Sequence, residues 1–139
     1  MDNIIFEKIW QEGNLLELKV TANSMYVTAF QFCYVSKEQL DILAKKIHSY
    51  ILNSESGCYW ETGPKEGEFL SAFSLQISPA KSNGHMLIEV DIEIGDDTER
   101  KHRCVFYVES ELGLLERFGK SLCFLKESEY GEDIRLYEN

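Results

Sequence analysis

Apolar and polar residues alternate with a period of two along most of this chain, and the pattern changes twice to a helical period. The first change is Ser36 to Leu52, SKEQLDILAKKIHSYIL. Leu40, Leu43, Ala44, Ile47, Tyr50 and Ile51 recur at the spacing of one helix face, with Lys37, Glu38, Asp41, Lys45, Lys46 and Ser49 on the other. Ser36 and Gln39 have the spacing of a capping box, each side chain within reach of the other residue's backbone N–H. Burying a large apolar side chain is worth roughly 1.5–3 kcal/mol, so this stripe binds the helix to an apolar surface. Because most of the remaining chain reads as strand, that surface is expected to be a sheet.

Two strands precede the helix, Ile4 to Trp10 and Leu15 to Thr21, joined by a turn at Gln11-Glu12-Gly13-Asn14. In the second, Leu16, Leu18 and Val20 alternate with Glu17, Lys19 and Thr21, giving one buried and one solvated face. Met25 to Val35 is apolar on both parities, with Tyr26, Phe30, Phe32 and Tyr34 on one and Val27, Ala29, Cys33 and Val35 on the other. Such a strand is expected in the middle of the sheet or beneath a second layer.

After the helix, Asn53 to Gly67 is a polar, glycine-bearing connection interrupted by Tyr59-Trp60. The pair reads as a short strand packing inward, with an exposed binding anchor as the alternative. Phe69, Phe73, Leu75 and Ile77 give a further strand, followed by a turn at Lys81-Ser82-Asn83-Gly84. Met86 to Ile94 and Lys101 to Val108 form a hairpin in which Glu93 is expected beside Lys101 and Asp91 beside Arg103. Ile92–His102, Val90–Cys104 and Ile88–Phe106 then meet on the core face. A second helix is expected from Ser110, with Leu112, Leu115, Phe118, Gly119 and Leu122 on its buried side and Glu111 and Lys120 suiting its dipole. The acidic tail, 127–139, is read either as mobile or as an added edge strand through Ile134, Leu136 and Tyr137.

The chain has 139 residues, the size of one domain, and no internal repeat or linker divides it. The expected architecture is α+β: one curved, mainly antiparallel sheet of about six to seven strands with two helices packed against it. Hydrophobic content of 44% with 27% charged residues is that of a globular chain. No apolar run approaches the roughly 18 residues of a membrane span, and MDNIIFEKIW lacks a basic stretch before an apolar core, so no signal peptide is expected. A cytoplasmic protein follows as the expectation. A net charge of −10 argues against direct nucleic-acid binding, which needs a surplus of Lys and Arg, and suits a basic protein partner.

Catalytic and metal chemistry find little support. Cys33, Cys58, Cys104 and Cys123 are far apart, with no C-x-x-C pair, and read as free thiols, those at 33, 104 and 123 buried in strand and helix patterns. His48, His85 and His102 show no metal-ligand spacing. His102 faces the core side by parity and reads as a hydrogen-bonded interior histidine, too far along the strand from Cys104 for direct proton transfer. Glu89, Asp91 and Glu93 line a strand face opposite Lys101 and Arg103, which reads as a solvated, salt-bridged surface. Phosphate-binding loops and nucleophile-elbow motifs are absent. No catalytic residue, cofactor or metal site is assigned, and a non-enzymatic binding role is expected.

The segments LLELKV, SKEQLDILAKKIHSYI, EFLSAFSLQI and CVFYVESELGLLERFGKSL follow one another in the order found in a known family. In that order the chain resembles small immunity proteins of bacterial polymorphic-toxin systems, the WapI-like family paired with wall-associated protein A toxins. The resemblance is one of pattern, covers nearly all of the chain after residue 14, and carries no invariant motif. The N-terminal strand here is longer, and the chain ends in an acidic tail. The resemblance implies an inhibitor that binds a toxin domain inside the producing cell without catalysis. Nuclease toxins present basic grooves towards which an acidic inhibitor is steered. Candidate contacts are therefore Glu55, Tyr59, Trp60, Glu61, Glu66 and Glu68, then Asp96, Asp97 and Glu99, then Glu129, Glu132 and Asp133. Two other classes remain open: a small-ligand or lipid carrier with a cavity between sheet and helices, and an oligomerising domain with an exposed sheet edge, which includes a homodimer.

Overall fold

The strands fall into two antiparallel sheets, and the inner faces of both share one core with two helices. The structure, a computed structural model, describes residues 1–63, 72–95 and 100–138. In chain order the described elements are β1 (Asn3–Glu12), β2 (Leu15–Asn23), β3 (Thr28–Ser36), α1 (Lys37–Leu52), a 3₁₀ turn (Ser54–Ser56), β4 (Cys58–Thr62), β5 (Ala72–Ile77), β6 (His85–Gly95), β7 (Lys101–Glu111), α2 (Leu112–Glu127) and β8 (Asp133–Arg135). The first sheet has the order β3-β2-β1-β8 and the second β4-β5-β6-β7. The α+β class agrees with the sequence pattern, but the single curved sheet is corrected to two of four strands each. The chain leaves β3 directly into α1, whose sixteen residues span about 24 Å. This carries the chain to a new sheet instead of letting β4 pair beside β3.

Local chemistry accounts for the element boundaries. The β1–β2 hairpin closes over two residues, with Glu12 opposite Leu15 and Gly13 at φ +59 in the first central position of the turn. Ser36 caps α1 as its spacing predicts: its hydroxyl accepts from the Gln39 N–H at 3.1 Å, and the Ser36 N–H donates to the Gln39 amide oxygen at 2.8 Å. Helix α2 begins two residues later than the pattern suggested, because β7 continues to Glu111. Its first N–H, that of Leu112, is satisfied by the Gly84 carbonyl at 3.0 Å rather than by a capping side chain. Lys120 lies within α2 beside Glu116, and Lys126 takes the C-terminal position that suits the dipole.

Phe6 lies at the centre of the core. Its ring meets Trp60 at 6.3 Å and Phe73 at 6.0 Å from the second sheet, and Phe118 of α2 at 5.2 Å. Leu40, Leu43, Ile47 and Tyr50 bury the face of α1 that the periodicity selects. The tail is an ordered edge strand: β8 pairs with β1, and Ile134 and Leu136 are buried.

The β6–β7 register is two residues away from the expected one. Glu93 pairs with Arg103, Asp91 with Val105, Ile92 with Cys104 and Val90 with Phe106, and pairing reaches Gly95 and Lys101. A shift of two keeps every side chain on its face, so Ile88, Val90, Ile92, Phe106 and Val108 remain inward. His102 is moved opposite Ile94 towards the hairpin end, where it is exposed, correcting its expected interior position.

Candidate functional site

The outward face of the β3-β2-β1-β8 sheet is the site that the sequence pattern misplaced. In β3, Gln31, Cys33 and Val35 point into the core, while Phe30, Phe32 and Tyr34 stand outward at 52%, 45% and 56% exposure. The strand expected in the middle of the sheet is its edge, and its second apolar parity faces solvent.

Register places these rings in three rows across the sheet. Tyr34 lies opposite Glu17, which lies opposite Trp10; Phe32 opposite Lys19, opposite Glu7; Phe30 opposite Thr21, opposite Ile5. Trp10 joins this face through a β-bulge. Simple alternation would turn Trp10 inward with Phe6 and Lys8, but the register shifts between Lys8 and Trp10 and re-aims the indole outward. It meets Tyr34 edge-on at 6.3 Å, so the two rings close over the Glu17 row. Phe30 and Phe32 meet edge-on at 6.2 Å, and the Lys19 ammonium sits 4.7 Å from the Phe30 ring centre. Met25 and Tyr26 extend the exposed surface at the start of β3. The face is a ridge of aromatic rings carrying carboxylates at Glu7 and Glu17 and the Lys19 ammonium in the row between Phe32 and Glu7.

The second sheet presents a different outward surface, in which polar groups satisfy one another. The Tyr59 hydroxyl donates to Glu61 at 2.8 Å and the Tyr107 hydroxyl to Glu89 at 3.0 Å. Arg103 binds both oxygens of Asp91, at 3.2 and 2.8 Å, and Asp91 is buried beneath it rather than solvated. The expected salt-bridged face is present, with Asp91 drawn under it.

The acidic contact candidates do not converge on one patch. Tyr59 and Glu61 are exposed on the second sheet, and Glu55 is exposed in the 3₁₀ turn. Trp60 is 4% exposed, and its indole N–H donates to the Gln39 carbonyl at 3.0 Å, so it is a core residue and not a surface anchor. Glu129 and Glu132 are exposed where the chain returns to β1, held by the Lys8 N–H to the Glu132 carbonyl at 3.0 Å and the Gly131 N–H to the Lys8 carbonyl at 2.8 Å. Asp133 lies opposite Glu7 on β1, next to the aromatic face, and accepts two bonds from Arg135. Glu66, Glu68, Asp96, Asp97 and Glu99 lie outside the described residues.

Two buried titratable side chains elsewhere, Lys8 and Cys33, have structural places. Lys8 is buried at 2% exposure, and its ammonium donates to the Lys126 and Ser128 carbonyls at 3.0 and 2.8 Å, capping α2. Burial pushes the Cys33 thiol up to about 11, only partly opposed by the nearby Thr62 side chain, which keeps it a protonated core group. Cys58 and Cys104 are half-buried, and Cys123, expected in the buried face of its helix, is exposed. Among the described residues, no group of three His, Cys, Asp or Glu side chains is arranged to hold a metal, and no helix is long and apolar enough to cross a membrane. No family model, curated protein or solved structure matches this chain.

Proposed function

We propose that this chain is a non-enzymatic binding protein, an immunity protein that neutralises a basic toxin domain by holding it against the aromatic face of the β3-β2-β1-β8 sheet. The observation that supports the reading is the exposure of Phe30, Phe32 and Tyr34 on one sheet face, with the half-buried Trp10 packed edge-on against Tyr34. Exposed apolar patches of this kind mark interaction surfaces, and aromatic anchors dominate the energetics of such contacts. Glu7 and Glu17 among the rings and a net charge of −10 favour a partner rich in Arg and Lys, whose cations also stack on aromatic faces. Inside, Phe6 packs against Trp60, Phe73 and Phe118 at the centre of the core, which favours a binding surface over an internal ligand site there. The place of action would be the cytoplasm of the producing cell, as the family resemblance implies.

The test is a pull-down from native lysate at low and moderate salt, with mass spectrometry of what is retained, repeated with a Trp10→Ala, Tyr34→Ala double variant. One basic toxin-like domain is expected, weakened by salt and at least about tenfold by the double substitution. Retention undiminished in the double variant, or no partner at either salt, would remove the reading.

A further inference from the structure

The edges of the two sheets differ in a way that singles out one of them. Strand β8 is three residues long and carries the Asp133–Arg135 ion pair. Strand β4 is five residues long and carries Glu61. Strand β7 carries Arg103, Glu109 and Glu111 along its length. Short length and charge are the means by which sheet edges avoid pairing with other chains. Strand β3 has neither: Thr28 to Ser36 is nine residues without a charge, a proline or a register shift against β2.

We infer that β3 is a self-pairing edge, on which a second copy of this chain adds antiparallel to form one continuous eight-stranded sheet. Full overlap of a nine-residue strand with itself centres the two-fold axis on Phe32. Phe32 then faces its own counterpart and Phe30 faces Tyr34 of the second copy. All three are outward and half-exposed, and aromatic pairs are among the favourable cross-strand neighbours. Since no charged residue lies on β3, none meets its like across the strand pair, although each molecule is strongly acidic overall. A closed, isologous pair also consumes the edge, so association stops at two.

The size of the contact sets its strength. Each ring presents about half of the roughly 150–250 Å² that an aromatic side chain can bury, which places the interface at the small end for specific association. The dimer is therefore concentration-dependent. The backbone edge lies in the plane of the sheet and the toxin face lies across it, but both draw on Phe30, Phe32 and Tyr34, so the mass of the protein alone is what tests the dimer apart from the toxin reading.

Sedimentation equilibrium of the full chain from about 5 to about 500 μM covers the range in which a contact of this size associates. The average mass is expected to climb from 16.1 kDa towards twice that value. Phe32→Lys and Phe32→Glu should each weaken association at least tenfold by placing like charges face to face. An equimolar mixture of the two variants should restore it through an opposite-charge pair. Melting temperatures of both variants establish that they remain folded. A mass of 16.1 kDa throughout would overturn the inference, even if the protein captures a basic partner. So would a dimer indifferent to both substitutions, or one that both abolish and the mixture does not rescue.

Discussion

Lys8 carries an ammonium group on the inner face of β1, where Ile4 and Phe6 are its alternate neighbours and its own exposure is 2%. Burial pushes its pKa below the ordinary 10.5; Glu127 and Glu132 oppose that shift and Lys37 adds to it. Between the lowered value and 10.5 the unfolded chain holds more protons than the folded one, so the stability contributed by Lys8 rises with pH across that window. Lys8→Met removes both the titration and the donor to the Lys126 and Ser128 carbonyls. The variant is expected to be less stable by about 1–3 kcal/mol at neutral pH, and the gap should widen towards 10.5. Urea unfolding of both proteins at several alkaline pH values measures this; a gap that stays constant would mean that Lys8 titrates as it does in water. Nothing in the sequence around Lys8 marks it as a helix cap, because the carbonyls it caps lie some 120 residues away. Asp91 was legible as a partner of Arg103, since the two stay on one face under a two-residue slip, but its burial was not.

Helices α1 and α2 meet where α2 has no side chain. A Cβ built on Gly119 would stand 2.8 Å from Cγ2 and 3.2 Å from Cβ of Ile47, and Ile47 is 2% exposed, so it has no room to move aside. Gly119→Ala gains about 1 kcal/mol of helix propensity and loses about 1–3 kcal/mol to overpacking. The expected sign is a net loss, read as a lowered denaturation midpoint. Gly113→Ala in the same helix meets nothing within 4 Å and should instead be neutral or stabilising by a few tenths of a kcal/mol. If both substitutions stabilise, the helices are not held at this distance. The helices were the most legible elements, because their signals are local: the Ser36–Gln39 box and the spacing of Leu40, Leu43 and Ile47 lie within one segment. Strand β3 was legible as a strand but not by its place. Apolar residues on both parities suit a strand covered on two sides, and equally an edge whose outer rings await another chain. The bulge that turns Trp10 outward leaves no trace in a pattern where Phe6, Lys8 and Trp10 simply alternate.

At the scale of the whole molecule, the division into two sheets was the part least accessible from the chain. Each hairpin is specified by neighbours in sequence, whereas the meeting of β1 with β4, β5 and α2 through Phe6 depends on contacts between distant segments. Those contacts make a prediction about cooperativity. If the two sheets were separate units joined by α1, each would unfold at its own midpoint. Phe6, at 0% exposure, instead puts one sheet's ring among Trp60 and Phe73 of the other, and Trp60 is tied to α1 through the Gln39 carbonyl. Losing either sheet strips the apolar surface of the other, at roughly 25 cal/mol for each Å² exposed, so neither has an independent core. The two tryptophans of the chain report separately, Trp10 from the outer face of the first sheet and Trp60 from the shared interior. Trp60→Phe leaves only the first reporter, and Trp10→Phe only the second. In each single-tryptophan protein, the fluorescence transition in urea should coincide with the far-UV circular dichroism of the same protein, as two-state unfolding requires. Trp60→Phe should lower the common midpoint, since it removes a buried ring edge and the bond to Gln39, while Trp10→Phe should leave it nearly unchanged. A Trp10 signal lost well before the circular dichroism would mean that β3-β2-β1-β8 opens alone, and would place the aromatic face on a unit able to detach from the rest of the fold.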